Sequence, residues 1–350
     1  VDELILDVHN LMLILKAMNV DSTYRRGELL VDPTNIKSVP LPGGAIRSLR
    51  ASYYFMGALL GKFGEAIVGF PGGDNIGPRP IDQHIKGFKA LGAHVEEKEN
   101  TVHITTGPEG LHGARIFFDL VSVGATINVL LAAVKAKGLT IMENVAREPE
   151  IVDLATFLNN MGAHIRGAGT NEIRIQGVDS LKSMNVHTII PDRIEAGTYL
   201  SFAAANGNGV LVKNVITEHL DPFLSKLEEM GVRMEIDEDE IYVPGGDVLS
   251  PVNIKTSPFP GFATDLQQPI TPLLMQARGS STIIDTLYPE RTKHIPEMQR
   301  MGAKISSKDG IITVGHSTDL SGTVVEAGEI RAGVSLVGLA LMAKGTTVIN

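Results

Sequence analysis

Two aspartates and three arginines lie where turns or helices begin, and their settings point to chemistry on anions. Phe70–Ala93 reads FPGGDNIGPRPIDQHIKGFKALGA, with two adjacent glycines before Asp74 and two prolines flanking Arg79. Glycines open backbone conformations closed to other residues and prolines fix the exit, so Pro71–Pro80 reads as a shaped loop. An amphipathic helix pattern follows from about Asp82 to Leu91. Locally, two descriptions are open: a strand-to-helix turn in which Asp74 bonds its own backbone, or a mobile loop carrying an acid and a cation. A second set, Arg50, Ser122, Glu195, Asp265 and Arg331, opens five helices rich in Ala and Gly. Free N–H groups and a partial positive charge at a helix start suit phosphate or carboxylate. Ser122 and Asp265 fit there as N-caps. Arg50 and Arg331 oppose the dipole, which a bound anion would rationalise.

Those helices belong to a repeat. A helix ending in a Gly or Asn step, then a short hairpin pattern, occurs five times, with the step at Asn19, Gly92, Gly162, Gly231 and Gly302. The marks are 73, 70, 69 and 71 residues apart. Gly or Asn just past a helix suits a left-handed cap, and the hairpins alternate apolar with polar residues. Between marks lie a small-residue helix and a β-like run, so the unit is helix, strand, helix, two-stranded hairpin. Four complete units and two complementary halves imply six, three per domain. This sets a boundary near Ile189–Pro191: residues 1–190 with the loop 70–81, then residues 191–350. Both ends read as cut relative to that pattern. Close-packing helices of this kind are expected to be buried in each domain, and facing domains would bring their N-termini to one cleft.

Composition narrows the class. The 350 residues carry a net charge of −9, which argues against a nucleic-acid surface but allows a local basic pocket. With no cysteine there is no disulfide, thiolate metal site or cysteine nucleophile, a composition compatible with a reducing cytosol. Neither a membrane span nor a signal peptide is visible. The histidines lack metal-ligand spacing, so no metal is expected. The acidic run Glu235–Glu240 reads as a solvated hairpin, and Glu148 and Glu150 as cap and dipole partners of a helix. His84 fits substrate contact and packing equally.

The strings SLRAS, PGGDNIGPRPIDQH, SVGAT, REPEIVD, PDRIEAGTYL, FATDLQQ, ERTKHIPEMQRMGA and EIRAG occur in that order along the whole chain. Together they resemble the UDP-N-acetylglucosamine enolpyruvyl transferases. The resemblance implies an α/β fold, a two-domain inside-out α/β barrel of βαβαββ-like units. It implies transfer of the enolpyruvyl group of phosphoenolpyruvate to the 3′-hydroxyl of UDP-N-acetylglucosamine in peptidoglycan precursor synthesis. Phosphate leaves by addition and elimination, in the cytoplasm, with no cofactor, nucleic acid or membrane partner; oligomeric state stays open. Carried over by motif, Asp74 takes the place of the family's loop cysteine as proton donor, and Asp265 is the base. Arg50, Arg79 and Arg331 surround phosphoenolpyruvate or the closing loop. Arg79, Pro80, Ile81, Asp82 and Gln83, with Leu120, Val121, Ser122 and Val123, hold the uridine diphosphate. Leu287 and Arg291 are further contacts, and Glu329 stands for the usual Asp of a DLR-type motif. Leu120 replaces a usual lysine. A Lys-Asn pair and a C-terminal arginine of the family fall outside residues 1–350, so impaired activity of this chain is expected. The family's inhibitor fosfomycin alkylates the cysteine, so insensitivity is expected with Asp74. The alternatives are a shikimate-pathway enolpyruvyl transferase, a non-catalytic nucleotide-sugar-binding paralogue and a structural fragment.

Overall fold

The computed structural model describes residues 5–41, 43–70, 72–73, 76–98, 100–183 and 186–350. The chain divides into two compact units, Val1–Asp74 with Arg79–Thr188, and Asn75–Pro78 with Ile189–Asn350.

In the first unit, α1 (Leu6–Ala17) precedes the hairpin β1 (Asp21–Arg25) and β2 (Glu28–Asp32). After α2 (Gly43–Ser48), a 3-10 turn at Arg50–Tyr53 runs into α3 (Tyr54–Phe63). Then come β3 (Glu65–Gly69), α4 (Asp82–Ala90) and the hairpin β4 (Ala93–Lys98) and β5 (Thr101–Thr106). The next module is complete: β6 (Arg115–Phe117), α5 (Val123–Ala133), β7 (Leu139–Glu143), α6 (Pro149–Asn160), β8 (His164–Arg166) and β9 (Glu172–Gln176).

The second unit opens with α7 (Arg193–Asn206), β10 (Val210–Lys213), α8 (Asp221–Met230), β11 (Glu235–Ile236) and β12 (Glu240–Val243). Its complete module is β13 (Asn253–Lys255), a 3-10 turn at Thr264–Leu266 leading into α9 (Gln267–Leu274), β14 (Ser280–Ile284), α10 (His294–Arg300), β15 (Ile305–Lys308) and β16 (Ile311–Gly315). The last elements are β17 (Val324–Val325), α11 (Ile330–Met342) and β18 (Val348–Ile349).

The five marks cap their helices in the left-handed region, with φ of 61° at Asn19, 91° at Gly92, 98° at Gly162, 91° at Gly231 and 92° at Gly302. That conformation costs least for Gly and Asn, so the repeat shows in the sequence at these positions. Each complete module forms one four-stranded sheet in the same order, β6-β7-β9-β8 and β13-β14-β16-β15. Its first strand runs parallel to the second, as a crossover through a helix requires. Those leading strands, β6, β13 and β17, are absent from the sequence-derived unit. At two or three residues each they are too short to leave a period-2 pattern. The unit is therefore βαβαββ.

Small residues let the central helices touch. A Cβ on Gly57 of α3 would lie 2.1 Å from the Asn128 backbone oxygen of α5. In the second unit a Cβ on Gly338 of α11 would lie 2.7 Å from Phe202 of α7 and 3.1 Å from Pro272 of α9. Each unit thus has its apolar centre between buried helices and sheet inner faces. Among the described residues no helix is long and apolar enough to cross a membrane.

Candidate active site

The first unit gathers its sequence-derived candidates at the start of α4 and α5. Arg50 begins the 3-10 turn rather than an α-helix, places its guanidinium 5.0 Å from the Tyr53 ring centroid, and donates from Nη2 to the Arg79 carbonyl at 3.2 Å. Arg50, Arg79, Pro80, Ile81 and Asp82 line one cavity of about 310 Å³ with Phe70, Ile85 and Glu97. Gln83, buried, ties this edge to the segment before α5. Its Oε1 accepts from the Asp119 N–H at 2.9 Å, and its Nε2 donates to Asp82 and Asp119 carboxylates at 2.9 and 3.3 Å. Leu120 and Val121 are exposed beside it, and Ser122 caps α5 by accepting from Ala125 N–H at 3.2 Å. Val123 is the first residue of that helix. One glutamine therefore brings 79–83 and 120–123 together. Asp74 lies outside the described residues. A larger cavity of about 520 Å³, lined by His164, Arg166 and Arg174 among others, includes none of these candidates.

The second unit builds a charged cluster around Arg291, whose side chain is 3% exposed. Glu329 grips it with two bonds, Nε to Oε1 at 3.2 Å and Nη2 to Oε2 at 3.1 Å. The third nitrogen, Nη1, reaches Asp265 Oδ1 at 2.6 Å and Thr264 Oγ1 at 3.3 Å. Arg331 approaches the other oxygen, Oδ2, more loosely at 3.6 Å. The helix-start readings need correction here. Asp265 does not cap α9; it sits in the preceding 3-10 turn and spends its carboxylate on two arginines. Arg331 is the second residue of α11, and the anion beside it is internal: Glu329 caps the helix, accepting from Arg331 N–H at 3.2 Å. Glu195 does not open α7, which Asp192 caps by accepting from Ile194 and Glu195 N–H groups. Glu148 stands at the cap position of α6 without a side-chain cap bond, whereas Glu150 lies in its first turn.

Electrostatics keep this cluster charged. Burial alone would raise the Asp265 pKa, but Arg291, Arg331 and Arg193 outweigh it and hold the carboxyl below its ordinary value. Burial likewise opposes ionisation of Glu329, and the Arg291 bonds overcome it. Asp265 remains partly exposed, at 39% of its side chain, so a charged and rigidly held oxygen faces outward. Such a group can accept a proton from a hydroxyl placed against it.

Asp285 is the organiser that sequence reading missed. Nearly fully buried, it accepts from Thr256 Oγ1 at 2.8 Å and Thr264 Oγ1 at 2.6 Å, and from the N–H groups of Leu287 and Tyr288 at 3.0 and 2.9 Å. It fixes both the Leu287 turn and the residue preceding Asp265. An acid inside an apolar run, as in STIIDTL, was the available signal. Among the described residues no group of His, Cys, Asp and Glu is placed to hold a metal ion.

For His84 the packing description prevails: the ring is buried, edge-on to Tyr53, and its Nδ1 accepts from Asn128 Nδ2 at 3.0 Å. His294 is buried in the same manner in the second unit. Burial pushes both pKa values down to about 4. Between that value and the unfolded value of about 6.5 the unfolded chain binds more protons. Stability is therefore whole above about pH 6.5 and falls toward pH 4, by an amount on the order of 2 kcal/mol per ring. Urea midpoints at pH 7.5 and 5.0 should show the loss, and a His84→Asn/His294→Asn double variant should flatten it.

The profile of the family described as EPSP synthase (3-phosphoshikimate 1-carboxyvinyltransferase) matches residues 4–350. The chain is 65% identical to the UDP-N-acetylglucosamine 1-carboxyvinyltransferase 2 of Lactiplantibacillus plantarum, over 99% of this chain and 81% of that protein. It is 60% identical to the UDP-N-acetylglucosamine 1-carboxyvinyltransferase of Lactobacillus johnsonii, over 99% and 82%. Among solved structures, the enolpyruvyl transferase NikO from Streptomyces tendae superposes with a TM-score of 0.87 at 22% identity, covering 99% of this chain and 82% of that one. An EPSP synthase from Acinetobacter baumannii superposes with a TM-score of 0.67 at 18% identity, covering 98% and 82%. At those identities the likeness speaks for the fold, while the sequence relatives distinguish the branch. The chain belongs to the enolpyruvyl transferase family of EPSP synthase, on the branch of the UDP-N-acetylglucosamine 1-carboxyvinyltransferases.

Proposed function

We propose that this chain transfers the enolpyruvyl group of phosphoenolpyruvate to the 3′-hydroxyl of UDP-N-acetylglucosamine and releases phosphate, a step of peptidoglycan precursor synthesis. Asp265, ionised and partly exposed between Arg291 and Arg331, carries the reading. In the addition step the sugar oxygen bonds to C2 of phosphoenolpyruvate, its proton passes to Asp265, and C3 gains a proton. In the elimination step C3 returns a proton to Asp74 and the C2–O bond to phosphate breaks, so that phosphate leaves with the proton held by Asp265 and the vinyl ether remains. Arg331 holds Asp265 loosely, so an anionic substrate that draws Arg331 away would raise the basicity of Asp265 when the base is needed. Arg50 and Arg79 supply positive charge for phosphate and carboxylate, and the segments 79–83 and 120–123, joined through Gln83, hold the nucleotide. The same reading implies a cytoplasmic reaction. Mass spectrometry of the sugar-nucleotide product tests this: an enolpyruvyl ether supports it, and an unaltered UDP-N-acetylglucosamine overturns it.

Asp74 is assigned as the donor to C3. In this reading a neighbouring anionic substrate favours the protonated, donating form of its carboxyl. Fosfomycin should then cause no time-dependent inactivation, because a carboxylate replaces the thiolate it alkylates. Asp74→Cys should become sensitive, and Asp74→Asn should lose turnover by about a hundredfold or more. Rapid inactivation of the unaltered enzyme, or full activity in Asp74→Asn, would contradict the assignment.

A further inference from the structure

A fully buried histidine lies behind the Arg291 cluster, and the chemistry above does not use it. His294 begins α10, and its Nδ1 lies 3.1 Å from Nε2 of Gln268, the second residue of α9. The Gln268 amide also lies close enough to the Glu329 carboxylate to favour its ionised form. Glu329 grips Arg291 through two bonds, and Arg291 Nη1 lies 2.6 Å from Asp265. A continuous line of side-chain contacts therefore runs His294, Gln268, Glu329, Arg291, Asp265.

The repeat shows that the fold does not need an imidazole at this place. Eight residues before the cap, the other modules carry Leu11, Leu154 and Phe223; only His84 and His294 break the apolar rule. At His84 the partner amide is Asn128, whose Oδ1 accepts from the Gly57 backbone N–H at 2.8 Å, so that pair secures helix packing. At His294 the partner amide faces a carboxylate of the charged cluster instead. A polar residue buried at such cost, and aimed at the site rather than at backbone, has a use there.

We propose that His294 is a positioning residue: by accepting from Gln268 it fixes the amide that steadies Glu329, and through Glu329 and Arg291 it sets the orientation of Asp265. The proposal rests on the reading of Asp265 as the base. No proton passes along the line and His294 touches no reacting atom. The charged groups facing its members are Glu329 and Arg291 at His294, Arg291 at Glu329, and Arg291, Arg331 and Arg193 at Asp265.

The test is the pH dependence of phosphate release in His294→Leu, His294→Asn and Gln268→Leu. Both Leu variants should lower kcat by about ten- to a hundredfold, with the KM of each substrate moving less than about threefold. The acid limb of kcat should shift to higher pH, because a poorly held Arg291 favours ionised Asp265 less. His294→Asn, which keeps an acceptor in the place of Nδ1, should recover most of the loss. The double Leu variant should be no worse than either single one, since the two residues act in series. A purely structural role would lower Tm and leave the acid limb in place. Unchanged kcat and acid limb in the folded variants would overturn the proposal, as would full additivity in the double variant. If His294→Leu does not fold, Gln268→Leu and His294→Asn decide on the same criteria. Asp265→Asn in the same assay separates the two readings. If it retains turnover, the base assignment and the proposal fall together. If it is inactive while Gln268→Leu is unaffected, only the proposal falls.

Discussion

Asp265→Asn is expected to lower kcat by about a thousandfold, within the range a positioned general base supplies, while UDP-N-acetylglucosamine still binds. The amide keeps the shape of the carboxylate but cannot take a proton. Structural damage should be small, because Arg291 retains its two bonds to Glu329 and Asp265 is partly exposed. Steady-state phosphate release with calorimetric titration of the nucleotide sugar checks both halves. A kcat within about tenfold of the parent would remove Asp265 from the base role.

Arg291→Met should be the most damaging change to stability, about 3–5 kcal/mol. The guanidinium is the shared partner of a buried glutamate and the site aspartate, so removing it leaves Glu329, 1% exposed, as a buried charge without its cation. Glu329 would then bind a proton more readily folded than unfolded, and the deficit should shrink as pH falls below its raised pKa. In the parent protein the sign is opposite. Both carboxyls sit below their ordinary values, so their contribution is present at neutral pH and is lost as pH falls through and below about 4. Urea unfolding at pH 7.5 and 5 reads the slope of the variant, and a further point near pH 3.5 reads that of the parent. A double variant, Arg291→Met with Glu329→Met, should regain much of the stability because no charge is left buried. If the double variant is less stable than Arg291→Met, the loss does not come from a stranded glutamate.

The fold was legible where local backbone chemistry forces a residue type. Five caps in the left-handed region demand Gly or Asn, and they expose the seventy-residue period directly. Strands β6, β13 and β17 left no such mark, since two or three residues paired along one edge carry no periodicity. At the charged cluster, sequence drew attention to Asp265 and Arg331 through their helix starts but misread why they are there. Tertiary pairing places them: Asp265 meets Arg291, 26 residues away, and Arg331 meets Asp265. Asp285 and Gln83 escaped notice as organisers for the same reason. Their distant partners Thr264, Thr256 and Asp119 lie 21, 29 and 36 residues away and are set by register, not by motif.

Acceptor-dependent phosphate release tests the account most directly. Phosphoenolpyruvate would be supplied with either UDP-N-acetylglucosamine or shikimate 3-phosphate, using a protein that spans the full length of its relatives. Phosphate should appear with UDP-N-acetylglucosamine and remain at background with shikimate 3-phosphate. Release with shikimate 3-phosphate alone, or with neither acceptor while the nucleotide sugar still binds, would contradict the assignment of this chain as a UDP-N-acetylglucosamine enolpyruvyl transferase.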